Sequence, residues 1–177
     1  FHLQVEALTS LAIDGSSTPT EDELTQFLID GTSDVTNKWI IVNPKDAPLF
    51  GQESGVQTSN GFVSGSGMLI SVLRESGTTN DYRPCRAIPY ALAERAKDVN
   101  SIHYASKYNP VYYMTEKLKV NVIPSPGADP NRYKVIEINP YHSKDEDYSG
   151  LTHADDGIGY IPKKLWPYVV KYAAIKC

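Results

Sequence analysis

The chain is predicted to be an α+β protein whose terminal helices pack together around an inserted antiparallel β meander. Three observations carry this expectation. Apolar residues recur at helical spacing over residues 20 to 42 and again over 162 to 177. Between them a tyrosine-rich stretch alternates apolar and polar residues with period two, the pattern of half-buried strands. No segment recurs at intervals of about 20 to 50 residues, which excludes a solenoid or propeller. At 177 residues the chain can bury roughly 70% of the surface its unfolded form exposes, so neither metal nor disulfide is required to hold it. The expected organisation is a single domain with a helical part, 1 to 43 with 162 to 177, and a β-rich part, 44 to 161, that carries two long loops.

Leu3, Ala7, Leu8 and Leu11 share helical spacing and predict a short first helix ended by the Asp14-Gly15-Ser16-Ser17 turn signal. A capping box follows: the Thr20 hydroxyl can accept from the backbone N–H of Glu23 while the Glu23 carboxylate reaches back. Glu21, Asp22 and Glu23 also place negative charge at the positive end of the helix dipole. Leu24, Phe27, Leu28, Val35 and Trp39 form the apolar stripe, and Asn43-Pro44 ends the helix. Gly31 inside this helix costs about 1 kcal/mol relative to alanine, so another backbone is expected to approach it closely.

Residues 44 to 67 are rich in Gly, Ser, Asn and Gln and read as a long loop, with Phe50 and Phe62 as its large apolar anchors after Leu49. Met68 to Arg74 and Tyr82 to Ile88 predict a first hairpin, in which Pro84 restricts the return strand to a sheet edge. Pro89 to Lys97 predicts a short helix with proline at its start. Val111 to Met114 and Leu118 to Ile123 predict a second hairpin around Thr115-Glu116-Lys117, with Leu118, Val120 and Val122 facing the core. Tyr133 to Asn139 is the last strand of a meander of about five, with Lys134 and Glu137 as its polar members. Residues 139 to 161 form a second, acidic loop, and Pro162 opens the last helix, whose Leu165, Trp166, Val169, Val170 and Ala173 are available for packing.

Composition narrows the function classes. Lys and Arg total 17 against 21 Asp and Glu, a formal charge of −4, so the chain lacks the basic footprint of a protein that grips phosphate backbones. Two cysteines do not make a disulfide framework and fit a reducing compartment. No apolar run approaches the roughly 20 residues needed to cross a bilayer, and the start carries no secretion signal, so no membrane partner is expected. Phe1 is not an initiator methionine and the last helical pattern runs to Cys177 without a stop signal, which reads as a chain trimmed at both ends.

The densest polar cluster, His142, Asp145, Glu146, Asp147, His153, Asp155 and Asp156, offers oxygen and imidazole ligands. Its spacing matches no metal motif and reads as a solvated acidic loop; no metal, cofactor or catalytic residue is assigned. A metal-dependent hydrolase built on the His142 to Asp156 cluster is the enzymatic alternative. Cys85, between Arg83 and Arg86, is a second candidate nucleophile if those cations lower its pKa. Ser64 and Ser66 lie in a Gly-Ser-Gly run that lacks the strand-to-helix elbow of a serine nucleophile. A monomeric binding module of cellular origin is a third class.

Tyrosine is the stronger lead, because its ring buries well while its hydroxyl tolerates a wet boundary. The set comprises Tyr104, Tyr108, Tyr112, Tyr113, Tyr133, Tyr141 and Tyr148. Tyrosines covering a small sheet are the plainer reading of the same residues. The interface candidates are Phe50, Phe62, Tyr104, Tyr108, Tyr112, Tyr148 and Trp166.

Three stretches carry a family resemblance: Leu24 to Gly31 with Asp34-Val35; Ser101 to Ser106 through Asn109 to Tyr113; and Trp166 to Ala174. Together they resemble virion structural proteins of tailed bacteriophages, in particular the small neck or adaptor proteins that form a ring between portal and tail. The resemblance implies a homo-oligomeric ring, often of about twelve copies. It also implies contacts with portal and tail proteins of the same virion, and double-stranded DNA passing through the lumen without being gripped. It implies no catalytic residues to carry over. Minimal adaptors are mostly helical, so the β meander departs from the pattern and leaves a tail-completion, collar or baseplate position open. An acidic wall would let DNA slide past.

Overall fold

A computed structural model describes residues 1 to 65, 68 to 138 and 150 to 177. Its helices are α1 (His2–Thr9), α2 (Glu21–Val42), α3 (Ala93–Lys97) and α4 (Trp166–Lys176). Its strands are β1 (Gly51–Glu53), β2 (Phe62–Val63), β3 (Leu69–Glu75), β4 (Tyr82–Pro84), β5 (Arg86–Ala87), β6 (Val111–Thr115), β7 (Lys119–Ile123) and β8 (Tyr133–Ile138). The α+β class is as predicted. The chain divides into two compact units, Phe1–Phe50 with Asn139–Cys177, and Gly51–Ile138.

In the helical unit the Thr20 capping box forms: Thr20 Oγ1 accepts from Glu23 N–H at 3.3 Å and Glu23 Oε2 accepts from Thr20 N–H at 2.8 Å. This satisfies donors that the first turn of α2 would leave orphaned. Leu24 and Leu28 of α2 are fully buried, as are Val169 and Ala173 of α4. Between α2 and α4 the predicted close approach at Gly31 is present: a Cβ there would lie 3.1 Å from Tyr172 Cδ1 and 3.3 Å from the Val169 carbonyl oxygen. The first helix packs on α4 through Val5 and ends at Ser10 in a left-handed conformation. Pro167 sits in the first turn of α4, where the missing N–H costs nothing.

In the sheet unit two four-stranded sheets, ordered β1-β8-β3-β4 and β2-β7-β6-β5, share a core of Val72, Tyr133 and Val135 from the first and Val120 and Val122 from the second. All pairings are antiparallel except β5 with β6. Ala93 and Ala96 of α3 join Val111 and Ile123 in a second apolar cluster. The Tyr133 hydroxyl, deep in the first core, donates to Ser59 O at 3.2 Å and accepts from Phe62 N–H at 3.4 Å.

Several local expectations are corrected. Strands expected as one meander of five sort into two sheets, because the return strand breaks at Cys85 and feeds β4 to one sheet and β5 to the other. Residues 44 to 65 are not a loop throughout: a 3₁₀ helix, Pro44–Phe50, leads into β1, and β1 and β2 each form a sheet edge. Polar residues suffice there because an edge strand is held by backbone pairing, with one side open to water. Leu118 does not join the core face; it is exposed with φ 56°, since the turn at Glu116–Leu118 consumes it. Glu137 is buried, paired across the sheet with Gln52, and its carboxylate accepts from the Ser64 hydroxyl. Of the acidic loop, residues 139 to 149 lie outside the described residues, and Leu151, Ile158 and Ile161 beyond them are buried.

Candidate functional site

The helical unit carries an open groove of about 370 Å³ between the C-terminal half of α2 and the start of α4. Val35, Trp39 and Val42 form one wall, Leu165 and Tyr168 the other. The Trp39 indole N–H donates to Asp46 Oδ2 at 2.9 Å. Cations rim the groove. Lys164 Nζ lies 4.8 Å from the centre of the Trp39 ring and Lys171 Nζ 6.0 Å from that of Tyr168, and Lys38 pairs with Asp34 at 2.8 Å. Ile41 and Val42 are 77% and 76% exposed, a large apolar area to leave in water at the end of a helix.

In the sheet unit the segment after α3 presents Val99, Ile102, Tyr104 and Tyr108 outward, with Ile102 96% exposed. The segment is ordered by its own backbone: Ser101 N–H donates to Asp98 O at 3.0 Å and Ala105 N–H to Ala96 O at 2.9 Å. Lys107 Nζ stacks 5.0 Å from the Tyr108 ring centre. Four large apolar side chains thus stand exposed on one hydrogen-bonded turn.

The predicted interface residues fall into different environments. Tyr104 and Tyr108 are exposed in this segment. Phe62 and Tyr112 pack against the core shared by the two sheets. Phe50 is not available as a surface anchor: it is only 1% exposed, because the 3₁₀ helix turns it inward. Trp166 is half-buried, its indole donating to Ile161 O at 3.1 Å and its ring edge-on to Phe1. Tyr148 lies outside the described residues. Ile41, Val42 and Ile102 escaped the sequence reading. The run Trp39-Ile40-Ile41-Val42 was the available signal, since four consecutive apolar residues wrap around a helix and cannot all face one side.

The candidate chemical groups are likewise placed. Burial pushes the Cys85 thiol up to about 12, overriding the opposing influence of the nearby Arg74 cation. Arg83 pairs with Asp81 at 3.2 Å. His153 Nδ1 lies 3.2 Å from Thr25 Oγ1, and its Nε2 lies 3.6 Å from Glu21 Oε1. Asp155 accepts from the N–H and hydroxyl of Thr152. His142, Asp145, Glu146 and Asp147 lie outside the described residues, and among the described ones no three His, Cys, Asp or Glu side chains converge as metal ligands. No helix among them is long and apolar enough to cross a membrane.

Charge is partitioned between the units. Residues 51 to 138 carry ten Lys and Arg against eight Asp and Glu, a net of +2, leaving −6 on the remainder. Neither models of known protein families nor curated proteins match the chain.

Proposed function

We propose that this chain is a structural assembly protein: one subunit of a homo-oligomeric ring in the virion of a tailed bacteriophage, placed at the head-to-tail connector. The observation that carries the assembly reading is the pair of braced apolar surfaces, the groove with Ile41 and Val42 in the helical unit and the Val99 to Tyr108 turn in the sheet unit. Each exposes side chains that a monomer would gain by covering. The virion assignment rests on the sequence resemblance, carried by residues in α2, in the 101 to 113 stretch and in α4. The eight-stranded unit is larger than a minimal helical adaptor needs, which favours, as second reading, a tail or baseplate completion protein. In the connector reading the partners are further copies of the chain and the portal and tail proteins above and below. DNA passes the ring without being gripped, consistent with the formal charge of −4.

Native mass spectrometry with negative-stain microscopy of the purified chain tests the reading. Closed rings, or capture by a portal assembly, are the expected outcome. A chain that stays monomeric at high concentration and ignores portal and tail proteins overturns it.

A further inference from the structure

The helical unit is electrically one-sided along its sequence. Residues 1 to 37 contain seven Asp and Glu and no Lys or Arg. At the groove, by contrast, Lys164 and Lys171 lie over the lining rings of Trp39 and Tyr168, while the lining Lys38 is held by Asp34, one of those seven. Apolar character is shared by both: the groove is walled by valine, leucine and aromatic rings, and the acidic stretch displays Leu3, Leu8 and Leu11, of which Leu3 is 77% exposed. α1 does not fill the groove of its own chain. It buries Val5, and its leucines remain uncovered.

We propose that the groove between α2 and α4 receives the acidic, leucine-bearing stretch of a second copy of this chain, namely α1 and the first turn of α2. This rests on the oligomeric reading above and adds which surfaces meet. A two-fold pairing of groove on groove would set the Lys164 and Lys171 rims against each other, and like charges across an interface are costly. Acidic stretch into basic groove is favourable in charge and covers apolar surface on both sides. Such a joint is heterologous, each copy giving one surface and receiving the other, and a heterologous joint closes into a ring when its rotation permits. Exposed lysines and carboxylates are screened, so the joint weakens as salt rises.

Charge reversal tests the joint with the full chain. One variant carries Lys164→Glu and Lys171→Glu; the other carries Glu21→Lys and Asp22→Lys, leaving the Glu23 cap intact. Each alone is expected to lose the closed oligomer and run as monomer, while circular dichroism and melting report a native fold. An equimolar mixture is expected to regain closed oligomers with the two variants alternating, because every joint again pairs opposite charges. Either variant assembling as the wild type does, or a mixture that stays monomeric, overturns the joint while a wild-type ring leaves the proposed function standing. A monomeric wild type overturns both. If a reversal unfolds the chain, the milder Lys164→Gln with Lys171→Gln pair replaces it. Weaker assembly is then the expected result, and unchanged assembly the refuting one.

Discussion

Valine in place of Gly31 would probe the contact that joins α2 to α4. Helix propensity alone favours valine over glycine by roughly 0.3 kcal/mol, so an isolated helix would gain slightly. In the folded protein a Cβ at this position meets Tyr172 Cδ1 at 3.1 Å, the Val169 carbonyl oxygen at 3.3 Å and Tyr172 Cβ at 3.4 Å. The ring edge can swing, but the carbonyl oxygen and the Tyr172 Cβ move only with the backbone of α4. Overpacking a close contact costs about 1 to 3 kcal/mol, and valine adds two further methyls, which places it at the upper end. The expected net effect is therefore a loss of about 2 to 3 kcal/mol, opposite in sign to the propensity term. Urea unfolding followed by the helical circular dichroism signal measures it. Gly15→Ala is the control, since nothing lies within 4 Å of a Cβ there, and it should be neutral or stabilising by up to about 1 kcal/mol. A Gly31→Val protein as stable as the wild type would refute the close approach of the two helices.

Three further outcomes are expected. Glu75 is fully buried and receives Arg132 through Nε and Nη2 and the backbone N–H of Asn80. Glu75→Gln weakens these charge-assisted hydrogen bonds but leaves no charge buried, since Arg132 is partly exposed and also pairs with Asp129; it should destabilise the sheet unit by about 1.5 to 3 kcal/mol in denaturant titration. Hydrogen bonds from Arg132 hold the Glu75 carboxyl down to about 2 against an ordinary 4.5. Its folded pKa is depressed, so its stabilisation is complete above about pH 4.5 and is lost as pH falls toward 2. An acid unfolding profile identical in wild type and Glu75→Gln would contradict this. With its thiol pushed up to about 12, Cys85 should have a thiolate fraction of roughly one in ten thousand at pH 8 and, in a Cys177→Ser chain that removes the other free thiol, label with a disulfide reagent only on unfolding; rapid labelling of that chain in its native state would show the site is open. Thr20→Ala, which removes the α2 cap, should cost about 1 kcal/mol in thermal melts, and an unchanged melt would mean the box contributes nothing.

Local chemistry explains which parts of the fold were legible. The capping box, the stop at Asn43-Pro44 and the alternation of Val120 and Val122 are all written in residues within a few positions of one another, whereas Pro162, expected to open the last helix, leads into a 3₁₀ turn and α4 starts at Trp166. Gly31 was legible as well, because a helix-weakening residue in a long helix asks for a reason. Less was legible where pairing depends on residues far along the chain. Nothing near Gln52 or Phe62 announces that β1 will lie against β8 or β2 against β7, some sixty to ninety positions away. The split at Cys85 is a change of sheet, and alternation is the same on either side of it. The interface residues divide by the same logic: Tyr104 and Tyr108 sit on a turn and stayed outside, whereas Phe50 was drawn inward by a 3₁₀ helix that the polar composition around it concealed.

What the amino-acid order determined by itself is the periodicity: where helices start and stop, where strands run, and that the class is α+β. These follow from hydrogen bonds and side-chain spacing confined to a few residues, so no distant partner has to be known. What the tertiary structure alone decided is which apolar faces found cover. Trp39 and Val42 lie on α2, Tyr168 on α4 and Leu165 just before it, more than a hundred residues away, and only their packing turns two apolar stripes into one open groove beside Lys164.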